Sequence, residues 1–243
     1  IAGLVKFFQG EFGEAMAFAN FNQTYTPVFT IDQRLATLGE KFPDRVARAN
    51  EFGLKLDLNR SRIVATASVF NNDETNYLVT LRDDIEGTVT GRPDQSYLAP
   101  VGTRTTKGFD MDVNFKIGGG LEAILSYGKV EATLASGLRV AAIPYDTTGA
   151  LINHRWRTGW LKGFSAGYNY SRWGKFSLDS RTNWELEGGE RHNLLFGYRW
   201  GRSDIRLRIE NVLDVLDVLA GSFDQGPGIT NPRNYRLSYT LTF

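Results

Sequence analysis

Apolar and polar residues alternate strictly along the last nine residues of the chain. Counting back from the terminal Phe243, the apolar or aromatic positions are Leu241, Tyr239, Leu237 and Tyr235, with polar residues between them. A period of two is typical of a β-strand with one apolar and one polar face. Such a strand occurs at the edge of a soluble sandwich and in an outer-membrane barrel, where the two faces meet lipid and lumen. The terminal aromatic favours the barrel, because the end of a soluble chain usually frays into water.

The clearest internal strand is predicted over residues 106–117. One face carries the apolar side chains of Phe109, Met111, Val113 and Phe115. The other face carries the hydrophilic side chains of Asp110, Asp112, Asn114 and Lys116. Three glycines at positions 118–120 predict a turn into a return strand. A face with successive Asp, Asn and Lys residues is unusual for a soluble core but normal for a hydrated lumen.

Similar hairpins recur along the chain. They are predicted over residues 2–8 and 14–25, 50–58 and 62–71, 153–160 and 164–173, and 191–200 and 204–213. Long connections are predicted between them, over residues 27–49, 81–105, 134–152, 174–190 and 214–232. Short turns on one side and long loops on the other are characteristic of outer-membrane barrels. With the terminal strand, we expect an all-β, antiparallel transmembrane β-barrel segment of about eleven strands.

The composition of the chain argues against several other classes of protein. The 243 residues include 28 Lys and Arg against 27 Asp and Glu, so the charge does not indicate nucleic-acid binding. Cysteine is absent, which excludes a disulfide framework and a thiolate metal site within this sequence. No apolar run approaches the roughly 18 residues of a membrane-spanning helix. The mean hydropathy of −0.29 remains compatible with alternating transmembrane strands.

The residues with catalytic or ligand chemistry form no enzymatic pattern. His154 and His192 lie in predicted strands and are expected to be wall or girdle residues. There is no nucleophile elbow, phosphate loop or zinc-binding helix motif, so no catalytic residue or cofactor is predicted. Asp83, Asp84 and Glu86, and the acidic residues within 71–74, have the chemistry of a hard-cation site. Solvated loops are the better explanation for them, and no metal site is predicted.

Two further groups of residues are candidates for contacts outside the wall. Aromatics near the predicted strand ends are expected to form interfacial girdles rather than stack on a ligand, and they are Trp156, Trp160, Tyr168, Tyr170, Trp173, Trp184, Tyr198 and Trp200. Five residues of the predicted long loops are chemically suited to contact an anionic or aromatic ligand, namely Arg92, Tyr97, Arg104, Arg139 and Tyr145.

Several segments resemble TonB-dependent outer-membrane receptors. Residues 208–214, Arg-Ile-Glu-Asn-Val-Leu-Asp, are similar to the family's penultimate-strand motif. The strand that ends at Phe243 resembles its C-terminal barrel-assembly signal, carried here by Tyr235, Leu237, Tyr239, Leu241 and Phe243. Residues 49–55 and 62–70 resemble a strand and its return strand, and residues 25–27, Tyr-Thr-Pro, resemble the close of an earlier strand. The matches follow the family's order and cover nearly the whole chain.

The resemblance implies a 22-stranded barrel around an N-terminal plug that engages TonB. Residues 1–243 are then expected to be the C-terminal half of the barrel, without the plug and the N-terminal strands. The expected partners are outer-membrane lipid, the barrel-assembly machinery, TonB through the plug, and N-terminal strands or a second chain at the edge from Ala2 to Phe8. The polar row of Arg206, Arg208 and Glu210 is either a solvated sheet surface or a wall in contact with the plug.

The implied function is TonB-dependent uptake of a scarce ligand across the outer membrane of a Gram-negative bacterium. An iron chelate, a corrinoid, or an oligosaccharide or peptide fits this class, with the present chain supplying barrel wall and extracellular loops. The alternative is a passive pore or a structural β-barrel scaffold, assembled from split chains.

Overall fold

The computed structural model describes residues 1–100, 102–178, 184–222 and 226–243. Apart from one short 3-10 helix, Leu35–Thr37, the regular structure of these residues consists of strands. The strands are β1 (Ala2–Gly10), β2 (Gly13–Thr26), β3 (Arg45–Leu58), β4 (Ile63–Thr75), β5 (Leu78–Arg82), β6 (Ser96–Pro100), β7 (Arg104–Gly118), β8 (Leu121–Leu134), β9 (Asp146–Arg155), β10 (Phe164–Trp173), β11 (Phe176–Ser177), β12 (Glu185–Leu186), β13 (Gly189–Trp200), β14 (Ser203–Glu210), β15 (Val218–Ser222), β16 (Gly226–Ile229) and β17 (Asn234–Leu241).

Eleven of these strands form a single sheet in the order β1-β2-β3-β4-β7-β8-β9-β10-β13-β14-β17. Each pairs antiparallel with its neighbours, so the sheet is a meander. The remaining strands make two-stranded hairpins within the long connections, β5 with β6, β11 with β12 and β15 with β16. The prediction of an all-β, antiparallel segment of about eleven strands is confirmed. Among the described residues, no helix has the length and apolar character needed to cross a bilayer.

The strand register gathers apolar side chains onto one face. Ile209 lies opposite Tyr235 and Leu207 lies opposite Leu237, and this alignment continues to Ile205 and Tyr239. Directly opposite residues of antiparallel strands point to the same side of a sheet. The intervening residues therefore form a polar face, on which Arg208 lies opposite Arg236.

The apolar face is covered by no other layer of the described chain. Tyr235, Leu237 and Tyr239 are 62%, 72% and 58% exposed. Most of the buried apolar side chains lie at the ends of the sheet or in the connections, including Phe42, Leu134, Val140 and Phe176. A soluble sandwich would bury such a face against a second sheet. An exposed apolar face on a meander is the arrangement expected of a lipid-facing barrel wall.

Some predicted boundaries are wrong. The strand predicted over residues 153–160 is β9, which begins at Asp146 and ends at Arg155. The connection predicted over residues 134–152 is therefore shorter and spans residues 135–145. Residues 156–163 form the turn instead, because Gly159 and Gly163 adopt left-handed φ angles of 75° and 90°. Backbone bonds from Gly163 N to Trp156 O and from Trp156 N to Phe164 O, each 3.0 Å, close this turn.

Other strands are longer or shorter than predicted. β3 begins at Arg45 and β4 continues to Thr75, because backbone pairing extends there although residues 71–75 of β4 are all polar and show no alternation. The connection predicted over residues 81–105 begins earlier, after Thr75, because the β5–β6 hairpin starts at Leu78 and ends at Pro100. β14 ends at Glu210 because Asn211 takes a left-handed φ of 52°, which an Asn side chain tolerates. The alternation of short turns and long connections is confirmed.

We predict that Gly108→Ala destabilises the folded sheet. A Cβ at Gly108 of β7 would lie 2.3 Å from the carbonyl oxygen of Lys129 in β8 and 2.6 Å from the Phe70 ring. Because a backbone atom must move, we expect a loss of about 1–3 kcal/mol in the free energy of unfolding. The measurement is the temperature at which the unboiled protein loses its folded mobility on a gel. Gly3→Ala is the matched control, since nothing lies within 4 Å of its Cβ, and an equal shift in both variants would contradict the prediction.

Candidate ligand-facing loops and the polar wall

The long connections contact one another at one end of the sheet. Leu35 N donates to Val89 O at 2.7 Å, which joins residues 27–44 to residues 76–103. Ala142 N donates to Ser177 O at 3.0 Å, joining residues 135–145 to the connection after β10. Trp173 Nε1 at the end of β10 donates to Val218 O at 3.0 Å. We call these connections together the loop layer.

A buried aspartate organises the tip of the connection between β5 and β6. Asp83 is 4% exposed and accepts hydrogen bonds from Thr90 Oγ1 at 2.6 Å and from the backbone N–H groups of Val89 and Thr90 at 3.1 and 2.5 Å. Burial raises the pKa of this carboxyl, but these donors outweigh burial and lower its pKa to about 2. The carboxylate is therefore ionised at neutral pH and holds the tip in one conformation.

A second aspartate has the same role in the connection between β2 and β3. Asp32 is 2% exposed and pairs with Arg34, whose Nε lies 3.0 Å from both carboxylate oxygens. Its hydrogen bonds with Arg34, and a further one from Thr37, hold the pKa of Asp32 well below its usual value. Asp84 similarly accepts hydrogen bonds from Thr88. These carboxylates bind loop groups, and the described residues contain no cluster of three or more metal-ligating side chains.

A buried ion-pair cluster lies where the wall meets the loop layer. Glu74 of β4 is 4% exposed and accepts from Arg45 Nε of β3 and Arg104 Nη2 of β7, each at 2.6 Å. Tyr77 stacks between the two cations, with its ring centroid 5.4 Å from Arg45 Cζ and 4.4 Å from Arg104 Cζ. The cluster thus joins three neighbouring strands to Tyr77, the residue that precedes β5. Arg104, one of the five candidate ligand-contacting residues, is therefore bound to groups of the protein itself.

Two of the candidate ligand-contacting residues lie together. Arg139 Cζ is 3.5 Å from the centroid of the Tyr145 ring, and its Nη2 donates to Val130 O at 2.9 Å. The Tyr145 hydroxyl donates to Glu185, across the loop layer. Burial and this acidic partner raise the pKa of Tyr145. The pair presents a half-buried guanidinium on an aromatic ring, a combination suited to anionic and aromatic groups.

The other two candidates lie apart from this pair. Arg92 is exposed at the tip organised by Asp83, where its backbone N–H donates to Thr90 Oγ1 at 3.2 Å. Tyr97 in β6 lines a cavity of about 120 Å³ together with Ile31 and Gln33 of the neighbouring loop. The structure therefore does not bring all five candidates into one site. The expectation of solvated acidic loops is wrong for Glu74 and Asp83, which are each 4% exposed and hydrogen-bonded to groups of the protein. Tyr77 was missed from the sequence, where its only signal was an aromatic shortly after an acidic residue.

The residues that carry the penultimate-strand motif organise the last long connection. Asn211 is 3% exposed and its Nδ2 donates to Val215 O and to Asn231 O, each at 2.9 Å. Asp214 Oδ1 accepts from Arg233 N at 2.7 Å. The motif therefore joins the end of β14 to the segment that enters β17. This gives a physical reason for an Asn and an Asp at these positions.

The histidines and several aromatics lie in or beside the wall. His154 of β9 packs edge-on against Trp156 with ring centroids 4.3 Å apart, and His192 of β13 hydrogen-bonds Tyr168. Tyr198 and Trp200 stack at 5.3 Å near the short-turn end of β13. These positions fit the expected wall and girdle roles.

The geometry defines an outer-membrane barrel wall, and comparison with known proteins agrees. Residues 8–212 match the family described as "TonB dependent receptor-like, beta-barrel". The chain therefore belongs to the family of TonB-dependent receptors, which are transporters of the Gram-negative outer membrane rather than enzymes. The resemblance to TonB-dependent receptors that the sequence motifs indicated is confirmed.

Individual receptors of known name are similar to the chain over part of their length. It is 25% identical over 241 residues to the metal-pseudopaline receptor CntO of Pseudomonas aeruginosa, covering 95% of this chain and 32% of that receptor. It is similar in fold to the ferric-catecholate import receptor Fiu of E. coli K12, with a TM-score of 0.73, 20% identity and coverage of 100% and 34%. For the ferric yersiniabactin uptake receptor FyuA of Yersinia pestis the TM-score is 0.75, at 12% identity and coverage of 100% and 37%. The chain thus spans about a third of the length of these relatives.

We predict that Glu74→Gln loosens the junction between wall and loop layer. The change leaves two guanidinium groups without their shared carboxylate, so we expect a loss on the order of 2 kcal/mol in unfolding free energy. Thermal unfolding and the rate of proteolysis within residues 76–103 are the measurements.

Glu131→Gln is the control, because its pair with Lys107 at 3.2 Å is about half exposed on both sides. Such a pair contributes about 0–1 kcal/mol. Equal stability of the Glu74 variant and the wild type would show that the cluster does not hold the loops.

Proposed function

We propose that the protein containing this chain imports a metal chelate across the outer membrane by TonB-dependent transport. The observation that carries the proposal is the family match over residues 8–212, on a sheet with an apolar outer face and a packed loop layer. The relatives are named for metal–pseudopaline, ferric-catecholate and ferric yersiniabactin complexes. This favours a metal chelate over a corrinoid, an oligosaccharide or a peptide as the ligand.

The residues of this chain would act as wall and as binding surface. Metal chelates commonly present carboxylate, phenolate or catecholate oxygens, which guanidinium groups bind through paired hydrogen bonds. Arg139 on the Tyr145 ring offers such a donor at the loop end, and Arg92 offers another at the exposed tip. In this proposal the energy-coupled movement takes place in a plug domain outside residues 1–243, and TonB contacts that plug.

The open edges of the sheet support a larger barrel. β1 and β17 are the two end strands and each pairs on one side only within the described sheet. An unpaired strand edge in lipid costs several kcal/mol per backbone group, because no water is available there. We propose that N-terminal strands of the same protein, or a second chain, pair with these edges and complete a barrel of about 22 strands. The segment from Tyr235 to Phe243 would then be the signal for the barrel-assembly machinery.

We predict that Arg139→Ala lowers the affinity for the transported chelate about tenfold, the loss of one charge-assisted hydrogen bond. The measurement is whole-cell binding of radiolabelled ferric complexes of catecholate, hydroxamate and carboxylate chelators, compared with a strain in which the gene is deleted. Arg202→Ala is the control, because Arg202 lies in the short β13–β14 turn at the opposite end of the sheet.

The dependence of uptake on TonB distinguishes active transport from the alternative function, that of a passive pore. Cells that lack TonB should bind the complex at the surface and fail to accumulate it. Equal accumulation with and without TonB would contradict the proposal and favour a passive pore, and the absence of binding for every complex in the panel would contradict the choice of ligand class.

A further inference from the structure

The apolar, lipid-facing side of the wall carries a groove across β1, β2, β3 and β4. Its volume is about 650 Å³, in the range of small-molecule sites. Phe52 and Leu54 of β3 form a ridge along it and are each 49% exposed. The register places small residues on both sides of this ridge, namely Gly3, Ala17, Ala19 and Ala67.

The groove does not owe its shape to the open edge of the sheet. Ala17 and Ala19 lie in β2, which pairs on both sides, with β1 and β3. A strand added at the edge would lie beyond β1, and a plug would contact the opposite face. In a bilayer this concave surface meets lipid, and an empty hollow would leave its lining atoms without contacts. Its occupant is therefore a hydrocarbon chain.

The outward side chains of β3 become polar and then cationic toward the loop layer. Asn50 and Arg48 follow Phe52 at every second position, so all three lie on one face. Asn50 and Asn59, in the turn after β3, are nine residues apart. This separation is about 30 Å along the strand and about 23 Å across the membrane at a tilt of about 40°.

That height agrees with the apolar band of about 25 Å on an outer-membrane barrel. Leu54 lies near the middle of this band and Arg48 lies above it, on the side of the long loops. The groove therefore runs from the centre of the bilayer toward the headgroups of the outer leaflet. Phe21, whose ring meets the Phe52 ring edge-on with centroids 5.4 Å apart, forms its rim at the loop end.

Arg48 has no counter-charge in this position. It is exposed and makes no ion pair within the part of the chain that the structure describes. Asp73 lies opposite it on β4, but the Asp73 carboxylate accepts from Thr105 Oγ1 at 2.7 Å and from Asn71 Nδ2 at 2.8 Å. By contrast, the outward-facing Lys107 of β7 is paired with Glu131 at 3.2 Å.

We infer that the groove binds an acyl chain of a phosphate-bearing lipid of the outer leaflet, with the lipid phosphate at Arg48. The order of side chains on β3 matches the order of groups in such a lipid. The guanidinium offers paired N–H donors to phosphate oxygens. The Asn50 amide can donate to the ester or amide that joins headgroup and chain. This inference does not depend on the transported ligand, because the groove lies on the outside of the wall.

The first test is native mass spectrometry of the full-length protein in detergent. The two probes are lipid A, an acylated glucosamine disaccharide with two phosphates, and the same lipid without its phosphates. We expect saturable binding of lipid A and binding at least tenfold weaker of the dephosphorylated lipid. Arg48→Gln should weaken lipid A binding about tenfold, the loss of a charge-assisted hydrogen bond, and leave binding of the dephosphorylated lipid unchanged. Arg202→Gln, in the short turn at the opposite end, is the control.

The second test fills the groove. Ala19→Leu should weaken the binding of both lipids, because its side chain occupies the space of the acyl chain. Gly3→Leu is a second filling variant, since nothing lies within 4 Å of a Cβ at Gly3. Ala123→Leu is the matched control, because Ala123 lies on the same face of β8, opposite Phe115 and Ile152 and outside the groove.

Three results would overturn the inference. Lipid A and its dephosphorylated form could bind equally, or Ala19→Leu and Ala123→Leu could lose binding equally. The third result is a dimer in the mass spectra that Ala19→Leu abolishes, which would assign the groove to a second copy of the protein. Unchanged heat-modifiable mobility on a gel establishes that each variant is folded.

Discussion

The structure depends on satisfying the backbone hydrogen bonds of eleven strands within one sheet. In a bilayer no water reaches an unpaired N–H or carbonyl group, so each strand must pair with neighbours over its whole length. The meander achieves this on both sides for its nine inner strands, from β2 to β14, whereas β1 and β17 each pair on one side only within the described sheet. The same pairing fixes the register, and the register separates the two faces. The Leu and Tyr side chains that stay exposed on one face are then the ones that contact lipid.

In the polar face and the loop layer, the corresponding requirement is that charged side chains are held in place by partners. At the loop end, buried carboxylates are neutralised locally, as Glu74 is by Arg45 and Arg104, and Asp32 is by Arg34. These contacts fix the long connections, so that residues such as Arg139 and Tyr145 are presented in defined positions. At the short-turn end, Asp204 of β14 is likewise paired, with Arg206 of the same strand and Arg199 of β13.

Most of the sheet could be predicted from the sequence, because a period of two is visible wherever one face is apolar. The Phe109–Phe115 strand and the terminal strand were found on this basis. The prediction failed where a strand continues through polar residues without alternation, as at the end of β4 near Thr75. It also failed after Arg155, where a turn that contains two Trp residues was taken for a strand. The contacts among loop residues depend on chain segments distant in sequence, such as Tyr145 with Glu185. No local pattern in the sequence encodes them, so the candidate loop residues could be named but not grouped.

β14 and β17 have a lipid-facing side and a water-facing side, which can be tested directly. The chain contains no cysteine, so single cysteines can carry a fluorescent label at chosen positions. Labels at Leu207→Cys and Leu237→Cys should be quenched strongly by brominated lipid in reconstituted bilayers, whereas labels at Arg206→Cys and Ser238→Cys should not. Alternating quenching along both strands is the predicted result. Equal quenching at neighbouring positions would contradict the account.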